Sequence, residues 1–319
     1  MAETVSVGFG DYDHTRDLWN GRVALSGVEL APTPVDSPEE LFERFLGGGE
    51  WDAAELSLAV TAARRAQGDD AIIALPVFPA RAYRQSSIIV RADGPTEASE
   101  LNGRRVGIPV WAQTAGIYAR GLLAADHGVD LRSITWVQAG VDEPGRTEPV
   151  ALDVEGFDIR REPDRSLDEL ILAGDVDAVI SARPPASVRD RDPAVRRLFP
   201  KFTFDEMDYA KRSGIFPIMH VLVLRREAYE RVPGIADQLI EAFTDAKDRS
   251  LARALRAVVP SYPLPWAAAN AERARGLLGD DFWPYGIDAN RTTLDAFLDY
   301  CVDQEITEAR LSVEQLFAR

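Results

Sequence analysis

The chain has 319 residues, 46% of them hydrophobic, enough to bury a full core as two lobes or one large α/β domain and too many for a disordered chain. Its 36 Lys+Arg against 52 Asp+Glu leave a formal charge of −16, which argues against a nucleic-acid partner, because binding to a phosphate backbone draws on clustered basic residues. A single cysteine, Cys301, and three histidines at 14, 127 and 220 without metal-ligand spacing exclude a structural zinc and predict no metal and no other cofactor.

Thr4 to Phe9 reads as a short β run ending at Gly10, followed by a polar loop from Asp11 to Arg16. This opening has no basic n-region and meets Asp11, Asp13 and Arg16 at once, so it does not read as a secretory signal, and no run approaches eighteen apolar residues. A cytoplasmic protein with no membrane partner is expected. Ser37-Pro38-Glu39-Glu40 has the form of a helix N-cap with Pro at the first helical position, and Gly47-Gly48-Gly49 marks the stop. Ala53 to Leu58 predicts a strand that ends at Ser57. Ala71 to Leu75, Ser86 to Val90 and Val106 to Ile108 predict further buried strands, and Thr114 to Leu123 a helix opened by Gln113-Thr114. Ile134 to Gln138 and Ala178 to Ser181 read as strands, with an amphipathic helix from Leu167 to Leu172 between them. His220 to Leu224 is another strand and Ala236 to Val259 a long amphipathic helix.

Short apolar strands alternating with helices predict an α/β fold with a parallel sheet covered on both faces. Ligands in such folds sit beyond the carboxyl ends of the strands. Polar turns at 97–103 and 212–214 suggest two crossing points. They predict a first lobe from 1–98 and 212–319, the latter part carrying the C-terminal helices, with 99–211 as a second lobe and a cleft between.

Charged or hydroxyl side chains recur just after the strands: Arg16, Ser57, Arg81, Arg84, Thr114, Glu143, Arg146 and His220. Arginine clamps a carboxylate bidentately, so several at strand ends suit an anionic ligand, although each alone could be a solvated or salt-bridged surface residue. Gln113 and Thr114 open a helix whose N–H groups and hydroxyl could meet a carboxylate or serve as an ordinary cap. His220 ends an apolar run and is either a core histidine or an acid–base group; His14 lies in a polar loop with the same two readings. His127 fits the last turn of a helix, where positive charge is favourable. The loop 140–146 is rich in turn formers, and Glu143 and Arg146 either face the cleft or are exposed. GxSxG, P-loop, GxGxxG and HExxH motifs are absent, so nucleotide, serine-hydrolase and zincin chemistries lose support.

Asp13-His14-Thr15-Arg16, Glu55-Leu56-Ser57-Leu58, Pro76-Val77-Phe78-Pro79-Ala80-Arg81 and Trp111-Ala112-Gln113-Thr114-Ala115-Gly116 run in order along the chain. Glu143-Pro144-Gly145-Arg146, Arg197-Leu198-Phe199-Pro200, Gly214-Ile215-Phe216-Pro217-Ile218-Met219-His220 and Trp283-Pro284-Tyr285-Gly286 follow. Together they resemble the 4,5-dihydroxyphthalate decarboxylase family, the Gly214–His220 block most specifically. Gln85 and Val110 depart from the family pattern, which tends to His and Glu there. The resemblance implies a two-lobed type II periplasmic-binding-protein-like fold with a central ligand cleft. It also implies a carboxy-lyase that removes CO2 from a hydroxylated aromatic acid without a metal. His220 is then the expected acid–base group, with His14 and Glu143 behind it. Arg16, Ser57, Arg81, Arg84, Gln113, Thr114, Arg146 and Phe216 are the expected substrate-binding residues. The partner is a small aromatic carboxylate, and homo-oligomerisation stays open. The same features would also serve a non-catalytic binding protein or sensor for an aromatic or dicarboxylic acid, or another lyase or isomerase.

Overall fold

Two sheets organise the chain, and the backbone passes between them twice. The computed structural model describes residues 3–259 and 261–319. Up to Leu75 the chain supplies β1 (Glu3–Gly10), β2 (Val28–Val35), β3 (Ala53–Ser57) and β4 (Ile72–Leu75). It then builds a second sheet from β5 (Ile88–Arg91), β6 (Arg105–Ile108), β7 (Thr135–Gln138), β8 (Asp158–Arg161), β9 (Ala178–Ile180) and β10 (Val195–Arg197). On its return, β11 (His220–Arg225) enters the first sheet, whose order is β2-β1-β3-β11-β4; the second is β10-β5-β9-β6-β7-β8.

Helices α1 (Arg16–Trp19), α2 (Pro38–Gly48) and α3 (Leu58–Ala66) belong to the first segment. The middle segment carries α4 (Thr114–His127), α5 (Leu167–Ala173), α6 (Ala186–Arg189) and α7 (Phe202–Ser213). The last holds α8 (Arg226–Arg231), α9 (Ile235–Ala254), α10 (Ala267–Leu278), α11 (Arg291–Asp303) and α12 (Val313–Leu316). Local chemistry sets several of these ends. The Ser37 hydroxyl accepts the Glu40 N–H to start α2, and Gly49, at φ 64°, ends it in the left-handed conformation that glycine adopts without a Cβ penalty. Ser166 and Glu169 form a reciprocal capping box at α5. The inner strands of the first sheet are largely apolar, with Ala53, Ala54, Leu56 and Val221 through Leu224 all fully buried. Among the described residues, no helix is long and apolar enough to cross a membrane.

Four features differ from the sequence-based expectation. Both sheets are mixed rather than parallel, since β11 runs antiparallel to β3 and β4, and β5 runs antiparallel to β9 and β10. The first crossing lies between Leu75 and Ile88 instead of at 98, because β5 pairs only with strands of the second sheet; the turn at 97–103 merely joins β5 to β6. The second crossing lies between Arg197 and His220. Strand β2 carries Pro32 and Pro34 and so gave no strand signal. It pairs with β1 alone, and on such an edge a residue without an N–H leaves no central ladder broken. The C-terminal helices also do more than extend the first lobe. Tyr118 of α4 packs on Phe297 of α11, while Phe317 meets Phe78 just beyond β4, so this segment touches both lobes.

Candidate active site

A cavity of about 770 Å3 lies between the lobes. Its first-lobe wall comes from α2, the ends of β3 and β11, and the loop 80–84; its second-lobe wall comes from 110–115 and 145–149. Phe42, Leu46, Val60, Val110 and Met219 make much of this surface apolar, and a few polar groups converge on it.

His220 heads β11 directly opposite Ser57 at the end of β3, so the antiparallel register delivers both to the cavity. Two residues before Ser57, on the same face of β3, Glu55 is 1% exposed and lies 2.5 Å from His220 Nδ1 through Oε1. The same carboxylate accepts the Tyr12 hydroxyl at 2.9 Å and the Gly10 N–H at 2.9 Å. Gly10 is needed here, because a Cβ would overlap the Tyr12 ring folded back over it. Burial on its own would raise the Glu55 pKa, but the bonds from His220, Gly10 and Tyr12 outweigh it and hold the carboxyl below its ordinary range. An acceptor at Nδ1 places the proton there and leaves Nε2 without a protein partner among the described residues. Phe42 fixes the ring edge-on at 5.0 Å.

The four arginines expected as clamps separate clearly. Arg84 lines the cavity, donates from Nε only to the Met219 sulfur at 3.2 Å, and has no ion-pair partner among the described residues. Burial pushes its guanidinium down to about 10, which leaves it charged at neutral pH. Arg81 also reaches the cavity, but its guanidinium is committed to Phe216 O at 3.1 Å, Pro284 O at 2.8 Å and Asn290 Oδ1, so it ties the C-terminal segment to the loop after β4. Arg146 lines the cavity 3.5 Å from Glu39 of α2. Arg16 pairs with Asp13 at 3.0 Å and is not part of the cavity wall.

Ser57 and Thr114 meet across the cleft floor, hydroxyl to hydroxyl at 2.9 Å, and Thr114 Oγ1 also accepts the Ala59 N–H at 3.0 Å. Gln113 lines the cavity and accepts the Ala182 N–H at 3.4 Å. The structure does not bring the remaining expected residues to the cavity. His14 stacks on Tyr12, its Nε2 donates to Pro79 O at 2.7 Å, and burial lowers its pKa, so it is a neutral packing group. Glu143 is exposed and borders only a neighbouring side pocket. Phe216 stacks on Tyr83 and receives Arg81 on its carbonyl.

Sequence reasoning passed over Glu55, Tyr12 and Glu148. Glu148 lines the second-lobe wall, accepts the N–H groups of Trp111 and Ala112, and is pushed above its ordinary pKa by burial. The available signal for Glu55 was a lone acid within an otherwise buried strand, a position that costs stability unless it is paired. Among the described residues, no group of three or more His, Cys, Asp and Glu is placed to hold a metal ion.

No protein-family model matches the chain. The 4,5-dihydroxyphthalate decarboxylase of Comamonas testosteroni is 34% identical over 316 residues, covering 98% of this chain and 96% of that protein. The protein of the same name from Pseudomonas putida is 35% identical over 198 residues, 61% of this chain and 76% of that one. Among solved structures, the periplasmic aliphatic sulphonate binding protein SsuA from Escherichia coli superposes with a TM-score of 0.54 at 13% identity, covering 100% of this chain and 93% of the other. The desulfurization enzyme DSZB gives 0.52 at 16% identity, covering 99% and 96%. At such identities the structural likeness speaks for the fold, which is the two-lobed periplasmic-binding-protein-like fold predicted from the sequence. With the Comamonas relative aligned across nearly its whole length, the chain belongs to the 4,5-dihydroxyphthalate decarboxylase family, whose named members are carboxy-lyases.

Proposed function

We propose that the protein removes CO2 from a hydroxylated aromatic acid of the phthalate or benzoate type, with the proton chemistry carried by side chains and no metal. The observation that supports this most is His220, set in the cavity wall with Nδ1 held by buried Glu55, in a cavity also lined by Arg84, which has no ion-pair partner among the described residues. Arg84 holds an acidic oxygen of the ligand, and Ser57, Thr114 and Gln113 add neutral donors. The phenolic hydroxyl para to the departing carboxylate gives up its proton, with half-buried Glu148 as the acceptor. Its electron pair moves through the ring as His220, entering the step as the imidazolium with Nδ1–H held by Glu55, donates its Nε2 proton to the ipso carbon. The ring-to-carboxylate bond then breaks, its electrons restore the aromatic ring, the phenolic oxygen regains its proton, and CO2 leaves. One proton from solvent recharges His220. The apolar wall of Phe42, Leu46, Val110 and Met219 favours the step in which a carboxylate becomes neutral CO2.

The test is to incubate purified protein with 4,5-dihydroxyphthalate and with hydroxybenzoic acids, following CO2 release and product mass, in the native protein and in His220→Ala. Release abolished by the substitution supports the reading. Tight calorimetric binding without CO2 would instead make this a binding protein, and turnover without loss of CO2 would make it a different lyase or an isomerase.

A further inference from the structure

Arg120, in the middle of α4, is fully buried, yet among the described residues no carboxylate touches its guanidinium. Nε donates to Gln304 Oε1 at 2.6 Å and Nη2 to the Trp111 carbonyl at 2.7 Å, while Nη1 has no hydrogen-bond partner. The guanidinium carbon lies 3.9 Å from the centre of the Trp111 ring. Gly116, one turn back on α4, makes room for it, since a Cβ there would come within 2.9 Å of Nη1. Burial pushes the group down to about 9, which leaves it charged at neutral pH. Interior ions are normally paired, so a cation held in this way calls for an account of what it acts on.

That object lies one peptide away. The Trp111 carbonyl and the Ala112 N–H belong to the same trans peptide and point in opposite directions. Arg120 donates to the carbonyl, and the N–H donates to Glu148 Oε2 at 3.2 Å, with the Trp111 N–H on the other carboxylate oxygen. Cation, peptide group and carboxylate thus form a single hydrogen-bonded chain in which each bond polarises the next. Its legs place Nη2 within about 8.5 Å of Oε2. Of the other charged groups facing Glu148, Arg146 on the same loop lies 3.5 Å from Glu39, while Glu39 and Glu43 of α2, Arg84 and His220 come from the first-lobe wall. On the far side of Arg120, burial keeps the Cys301 thiol of α11 neutral. We propose that Arg120 is a positioning residue for the proton acceptor: it orients the Trp111–Ala112 peptide that grips Glu148, and its charge, acting through that peptide, keeps the half-buried carboxyl ionised and ready to take the phenolic proton. The inference rests on the role given to Glu148 in the proposed decarboxylation and adds the group that stands behind it.

Carbon-13 NMR titration of the glutamate side-chain carboxyls tests it without substrate, the Glu148 signal being the one absent from Glu148→Gln. In Arg120→Met the Glu148 midpoint should move to higher pH by about one pH unit, the effect of a unit charge at that separation in a protein interior. Arg120→Lys, which keeps the charge but not the fork, should show no more than about half of that shift. Gln304→Glu sets a carboxylate against Arg120 while leaving the Trp111 clamp in place; it should raise the midpoint in a folded protein, and it decides the question if Arg120→Met does not fold. The acid limb of kcat/KM for CO2 release should move with the midpoint. A merely structural role for Arg120 predicts lower stability with the midpoint unmoved; that result, or an unmoved midpoint in Gln304→Glu, would overturn the inference. So would a moved midpoint with a stationary acid limb, which takes Glu148 out of the proton path. A moved midpoint without CO2 release from any hydroxylated aromatic acid supports the hold of Arg120 on Glu148 and sinks the decarboxylase reading alone. CO2 release with an unmoved midpoint sinks this inference alone.

Discussion

Replacing Glu55 by Gln keeps the side chain's size but removes the negative charge 2.5 Å from His220 Nδ1. The carboxylate serves three donors: Oε1 takes the Tyr12 hydroxyl and His220, and Oε2 takes the Gly10 N–H. An amide has one acceptor oxygen and an NH2 group, so in either orientation an N–H faces a buried donor. Stability should fall by about 1–3 kcal/mol for the unsatisfied group. A charge-assisted hydrogen bond contributes about 1.5–3 kcal/mol, so if it supports His220 in the transition state, kcat should fall roughly ten- to 150-fold. KM should change by no more than about twofold, because Glu55 is not part of the cavity wall. The assay is steady-state CO2 release for native protein, Glu55→Gln, His220→Ala and the double variant, with circular dichroism to confirm folding. If Glu55 acts through His220, the double variant is no slower than His220→Ala alone. Additive losses, or an unchanged kcat in folded Glu55→Gln, would refute the reasoning.

Acid stability follows from the same residue. Its folded-state pKa lies below the ordinary 4.5, so the ionised form contributes stability fully above that value and loses it as pH falls through the depressed one; urea midpoints of native protein and Glu55→Gln should begin to approach each other as pH falls below about 4.5 and meet only below the depressed pKa. Arg84→Met removes the cavity's unpaired cation and should lower kcat/KM for an aromatic acid by roughly ten- to 150-fold while leaving the urea midpoint nearly unchanged. Arg81→Met should do the reverse. Three acceptors lose their donor, stability drops by about 3–5 kcal/mol, and kinetic losses at low temperature follow the folded fraction rather than KM.

The residues that could be read from sequence were those whose role is set by near neighbours. Ser37 with Pro38 announced α2, the end of β3 was placed at Ser57, and Gln113-Thr114 was seen to open α4. The residues that escaped depend on distant partners. Glu55 meets a histidine 165 positions away, and nothing near it in the chain signals that pairing. Arg81 and Arg84 look alike in sequence; the difference is that Phe216, Pro284 and Asn290 fold back onto one and not the other. The mixed sheets were missed for the same reason, since an apolar strand buried on both faces carries no mark of its direction.

The place of β11 bears on how the molecule comes into being. It lies between β3 and β4, yet it follows the whole second lobe in the chain. As the polypeptide leaves the ribosome, the second lobe can close on itself from a contiguous stretch, whereas the first waits with two strand edges bare until residue 225 emerges. That late, sequence-distant insertion is the slow and aggregation-exposed step of such a topology. It is also the step that carries His220 to Glu55, so the pair in the cavity wall is assembled only with the completed sheet.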